Sequence, residues 1–140
     1  MKKIVVKLDT GKVAIINPTS EATEALLERD ALATPGYVSH RTVEEAEIPI
    51  SRTFRDAWED SDGLKVNLEK ARAIKLAEFR RIRSKKLAEL DVEAIKAMEA
   101  ADSVTLKTVT DKKKLLRDVT RVTLPDDVSI LEKFLPEILK

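Results

Sequence analysis

The chain has 140 residues, about one domain's worth of sequence, which argues against a large multidomain enzyme. Charged residues make up 36% and aromatics 4%, with only 3 Gly, so the composition points to a helix-rich, surface-heavy protein and excludes a glycine-rich phosphate loop. Lys and Arg number 26 against 25 Asp and Glu, and the net charge of +1 conceals any local bias.

Cysteine is absent, which removes disulfide frameworks, thiolate zinc sites and thiol nucleophiles together. The only histidine is His40, so a histidine-ligated metal site within one chain is excluded. A Ser-His-Asp triad would have to use His40, and Ser39 beside it is too close along the chain to be oriented as its partner. The expectation is a non-enzymatic protein with no cofactor, no metal and no catalytic residue. The start, Met1 to Lys7, is basic and then apolar like a leader, but Lys7 and Asp9 interrupt the run early. No stretch of 18 apolar residues occurs. A soluble protein made in the cytoplasm, without a membrane partner, is therefore expected.

In chain order, Ile4-Val5-Val6 and Val13-Ala14-Ile15-Ile16 flank Asp9-Thr10-Gly11-Lys12 and predict a β-hairpin, with Gly11 supplying the positive φ of the turn. Ser20 is expected to cap a short helix carrying Leu26 and Leu27, which Pro35-Gly36 terminates. Residues 37 to 43 suit another strand. Asp60-Ser61-Asp62-Gly63 reads as a turn rather than the start of a calcium loop, because Asn67 and Glu69 stand at the wrong offsets. Leu64-Lys65-Val66 is extended, and Asn67 is a good cap for a helix beginning at Leu68.

Residues 68 to 119 contain neither Gly nor Pro, and Leu68, Ala71, Ile74, Phe79, Ile82, Leu87, Leu90, Ala94 and Ala97 trace a drifting helical stripe. Ala100-Ala101-Asp102-Ser103 breaks it, so a helical hairpin is predicted over 68 to 118. A last helix is expected from Pro125 onward, apolar at 130, 131, 134, 135, 138 and 139. The predicted fold is α+β, mostly α. It comprises a small α+β part at 1–63, a helical hairpin at 64–121 and a C-terminal helix at 122–140.

Charge is segregated. Residues 65–86 hold nine basic side chains against two acidic ones, and residues 17–50 hold seven acidic against two basic. Arg80, Arg81 and Arg83 form a candidate basic patch, either meeting an acidic partner or simply forming a solvated helix face. Nucleic acid is not the expected partner, because Phe79 is the only aromatic nearby for stacking.

Arg52, Phe54, Arg55 and Trp58 are the most distinctive cluster. As a strand, 52, 54, 56 and 58 would share a face; as a helix, Phe54 would meet Trp58 at i,i+4. Either way the two rings suit a core anchor, with a partner-binding hot spot as the alternative. The apolar C-terminal segment suits docking on the hairpin or presentation to a partner.

The run Pro49-Ile50-Ser51-Arg52-Thr53-Phe54-Arg55-Asp56-Ala57-Trp58 resembles a segment of small tail and tail-fibre proteins of tailed phages. So do Asn67 to Ile74, Arg80-Arg81-Ile82-Arg83 and Leu87-Ala88-Glu89-Leu90-Asp91. With Lys114-Leu115-Leu116-Arg117-Asp118-Val119, the region of roughly 48 to 120 is similar to the phage tail assembly chaperone family. The resemblance implies a tail or tail-fibre assembly factor in the host cytoplasm that covers apolar or β-edge surfaces of its partner. Phe54, Trp58, Leu116 and Phe134 would pack, and Arg52, Arg55 and Arg117 would make polar contacts. A structural virion component (tail, baseplate or neck) is the first alternative. A nucleic-acid or host-factor binder using the basic helix is the second, and self-association stays open.

Overall fold

The computed structural model describes residues 2–140. The chain is α+β and mostly helical, with its strands at the N-terminal end. It divides into two compact units, Met1–Ala71 and Arg72–Lys140.

The first unit is built on a three-stranded antiparallel sheet. Strand β1 (Lys2–Leu8) lies between β2 (Val13–Ile16) and β3 (Tyr37–Glu44). Val5 pairs with Ile15 on one side and Arg41 on the other. Gly11 closes the β1–β2 turn at φ 81°, where its N–H donates to the Leu8 carbonyl at 3.0 Å. Both faces of the sheet are covered, which explains why Ile4-Val5-Val6 is apolar without alternation. Ile4 and Val6 face helix α1 (Glu24–Leu32) and pack with Leu27 and Ala31. Val5, Val13 and Val43 face the opposite way and pack with Trp58, Leu64 and Val66. These last three come from a two-stranded ribbon, β4 (Trp58–Asp60) with β5 (Leu64–Val66), turned by positive φ at Asp62 and Gly63.

Ser20 does not cap α1. Thr19 to Ala22 forms a separate turn, with the Ala22 N–H donating to the Thr19 carbonyl at 3.1 Å. The helix starts after it, where Thr23 has the extended backbone of an N-cap and its hydroxyl accepts from the Leu26 N–H at 3.3 Å.

The long helix α2 (Leu68–Glu99) opens at the end of the first unit, capped by Asn67, whose Oδ1 accepts from the Lys70 N–H at 3.0 Å. In the second unit it continues unbroken through Asp91 to the predicted stop. There the Asp102 N–H donates to the Ala97 carbonyl at 2.9 Å and the Ala101 N–H to the Met98 carbonyl at 3.1 Å. This is a Schellman closure with Ala101, at φ 50°, in the place glycine usually takes. Asp102 then caps α3 (Ser103–Arg117), accepting from the Thr105 N–H at 3.1 Å and from its hydroxyl at 2.6 Å, which holds the Asp102 carboxyl below its ordinary range. The second helix folds back, and Lys113 reaches Asp91 at 2.5 Å.

The C-terminal segment is not one helix. Asp127 caps a short α4 (Val128–Lys133), the chain is extended at Phe134, and a single 3-10 turn spans Glu137–Leu139. Pro136 is the reason: it has no N–H to give a helix, and it forces the residue before it out of helical geometry. The segment still packs inward, with Leu139 buried beside Phe79, Leu116 and Val119, and with Phe134, Leu135 and Ile138 against them.

Candidate functional site

Phe54 and Trp58 occupy neither a continuous strand nor a continuous helix. The Arg55 N–H donates to the Arg52 carbonyl at 3.1 Å, making a tight turn, and a 3-10 turn over Arg55–Ala57 leads into β4. Phe54 and Trp58 are each 2% exposed and anchor this loop in the first unit. Arg52 and Arg55 are both exposed.

Around that loop lies a small cavity of about 50 Å³. Lys3 from β1, Asn17, Arg52, Arg55 and Trp58 line it, and Ile15 and Ile48 supply its apolar side. The chain's own nearby carboxylates are taken by lysines. Glu45 sits 3.0 Å from Lys3, which holds its carboxyl below the ordinary range, and Asp56 sits 3.6 Å from Lys12. Among the described residues, no carboxylate lies within ion-pair distance of Arg52 or Arg55. The Trp58 indole N–H is buried and has no hydrogen-bond partner among the described residues. Such an orphan donor is uncommon in a folded interior.

The same face of the sheet is fastened by a second charged group. Arg41 of β3 donates from Nε and from one terminal nitrogen to the two carboxylate oxygens of Asp60, each at 2.8 Å, and also reaches Glu47 at 3.2 Å. The guanidinium holds the Asp60 carboxyl below its usual range, and the paired carboxylate raises Arg41 in turn. On the opposite face the Tyr37 hydroxyl and His40 Nδ1 are 2.8 Å apart, which gives the lone histidine a local partner.

In the second unit, Leu116 is 2% exposed within the core, and Phe134 packs on Phe79 with ring centroids 6.1 Å apart. Arg117 is exposed. Of the candidate basic patch, Arg80 and Arg81 are exposed, and Arg83 is half-buried. Other cations of the basic helix are engaged within the unit. Arg72 pairs with Asp126, and Lys75 is buried, donating to Glu78 at 3.1 Å and to the Glu132 carbonyl at 2.9 Å. Lys86 donates to the Lys140 carbonyl at 2.9 Å. Phe79 is fully buried and has no face to offer a base.

Sequence reasoning missed an apolar stripe at the end of the hairpin. Val92, Ile95 and Met98 stand at three-residue intervals on α2 and are 51%, 55% and 61% exposed, and Val104, at the start of α3, is 77% exposed. The opposite side of α2 holds Ala94 and Ala97, both buried, and Val109 is buried in the first half of α3 on the same hairpin. The signal was in the sequence as apolar positions at 92, 95 and 98, alongside the alanine stripe.

No helix among the described residues is long and apolar enough to cross a membrane, and no cluster of three metal-ligating side chains occurs among them. No family model, curated protein or solved structure matches the chain.

Proposed function

We propose that this chain is a non-catalytic, protein-binding assembly factor whose partner is a phage tail or tail-fibre protein. The observation that carries the binding role is the exposed stripe Val92–Ile95–Met98 with Val104 at the hairpin end. Large apolar side chains held this open on a rigid helix are stable in water only at a cost, and burial against a partner recovers roughly 25 cal/mol for each Å² covered. The apolar contacts of Leu116 and Phe134 are made inside the unit, so the stripe and not those residues is the surface on offer. The phage assignment rests on the resemblance of residues 48 to 120 to tail assembly chaperones.

The test is genetic. In the phage that encodes the chain, deletion of the gene gives particles lacking tails or fibres by electron microscopy, and the wild-type gene restores them. The double variant Ile95→Asp/Met98→Asp, shown to be folded by circular dichroism, fails to restore them. Normal particles after deletion overturn the assembly role. Stoichiometric amounts of the chain in purified virions, measured by mass spectrometry, make it a structural component instead.

A further inference from the structure

The geometry points to the cavity at Arg52, Arg55 and Trp58 as a carboxylate-binding site that receives an acidic side chain, Asp or Glu, of a partner polypeptide. Three independent features converge there. Two guanidiniums three residues apart are turned outward by the same tight turn, whose Phe54 is buried, while the neighbouring Glu45 and Asp56 are held by Lys3 and Lys12. The mouth of the cavity therefore carries uncompensated positive charge. Trp58, whose indole N–H is a donor with no acceptor, lines the same cavity. The rest of the wall is apolar at Ile15 and Ile48 and polar at Lys3 and Asn17.

That combination selects the ligand. A volume of about 50 Å³ takes one carboxylate with a methylene or two, not a whole metabolite. Apolar walls suit the methylene stem, and a guanidinium matches the two oxygens of a carboxylate in a planar, bidentate pair. The indole N–H is buried, so a neighbouring side chain must shift before a ligand reaches that donor. The site lies in the first unit, whereas the apolar stripe lies in the second, so it adds a charged determinant to the apolar one. It rests on the protein-binding reading only in drawing its carboxylate from a polypeptide.

Trp58 is the only tryptophan, so its indole N–H gives a single, assignable signal in a ¹H–¹⁵N spectrum of the full chain. The probes are end-capped tetraglutamate, end-capped tetraglutamine and inorganic phosphate, each titrated at about 0.15 M salt to suppress diffuse charge attraction. Tetraglutamate is expected to shift that signal saturably, and tetraglutamine to leave it in place. Arg52→Gln and Arg55→Gln are each expected to weaken tetraglutamate binding about tenfold or more, as for loss of a charge-assisted hydrogen bond. Arg55→Lys, which keeps the charge but not the fork, is expected to fall between them and the wild type, and it serves as the readout should a glutamine variant not fold. No saturable shift, an equal response to tetraglutamine, or wild-type affinity in the arginine variants overturns the site. Phosphate binding as tight as tetraglutamate's overturns the carboxylate assignment. Failure here leaves the Ile95/Met98 assembly phenotype untouched, and failure of that phenotype leaves this titration untouched.

Discussion

Replacing Asp60 by Asn tests whether the Arg41–Asp60 pair fastens the β4–β5 ribbon to the sheet. The substitution keeps shape and one acceptor oxygen but removes the charge. The wild-type pair makes two charge-assisted hydrogen bonds of 2.8 Å, with the Asp60 side chain only 10% exposed. Arg41 is 37% exposed and keeps Glu47 at 3.2 Å, so it is not left stranded. A solvent-exposed pair contributes about 0–1 kcal/mol, and loss of one partner of a buried charged hydrogen bond costs about 1–3. The mixed exposure places the expected loss at about 1–2 kcal/mol near neutral pH. Trp58 sits two residues away on the same ribbon, so its fluorescence reports this unit directly. In urea the midpoint should fall by about 1 M for a unit of this size. The pH dependence has a definite sign. Arg41 lowers the folded-state pKa of Asp60, so the stabilisation is complete above the unfolded carboxyl's pKa of about 4 and disappears as pH falls through the lowered folded value. Wild type and Asp60→Asn should thus differ by a constant amount between about pH 5 and 7 and converge in acid. Equal midpoints at pH 7, or a difference that persists unchanged in acid, would refute the reasoning.

Two further substitutions probe the helix ends. Thr23→Ala removes the α1 cap and should cost about 1 kcal/mol, while Ser20→Ala should be neutral; thermal melts of the two variants compared with wild type check this, and the reverse order would restore Ser20 as the cap. Ala101→Gly should stabilise the second unit by about 0.5–1 kcal/mol, because glycine occupies φ 50° without the Cβ penalty; a lower melting temperature would mean that the closure does not carry that strain.

Much of the fold was legible because its signals are local. Gly11 between two β-rich runs specified the hairpin turn, Asn67 marked the start of α2, and the Asp102-Ser103 break marked that of α3, where Asp102 is the cap, each cap involving only the next three residues. Local signals also misled. Ser20 and Thr23 are both competent caps, and only the turn from Thr19 to Ala22 decides between them. Apolar spacing from 130 to 139 looked helical, and the proline at 136 outweighed it. The basic run of α2 left an acidic partner and a solvated face both open, and Lys75 fits neither, because it is buried with Glu78 and a carbonyl from Glu132 as its partners. For the candidate site, Arg52, Arg55 and Trp58 were visible as a cluster. Their meeting with Lys3 and Ile15 was not, since it depends on β1 and β2 passing beneath a loop almost fifty residues later.

Strand β1 has apolar residues toward both faces, and this removes the usual guard against misalignment. In a sheet wet on one side, sliding a strand by one residue exposes its whole apolar set. Here such a slide would put Ile4 and Val6 where Val5 stands and Val5 where they stand, so the middle of each face would still receive an apolar side chain. What opposes it, beside the Gly11 turn, is the pair of lysines. Lys3 and Lys7 share the Val5 face, where Lys3 meets Glu45 and Lys7 lies near enough to Asp60 to help hold that carboxylate ionised. Moved by one position, both lysines would turn to the α1 face, away from Glu45 and Asp60 and toward Leu27 and Ala31. In this sheet the alignment is thus kept by charge together with the β1–β2 turn at Gly11, not by the apolar pattern alone.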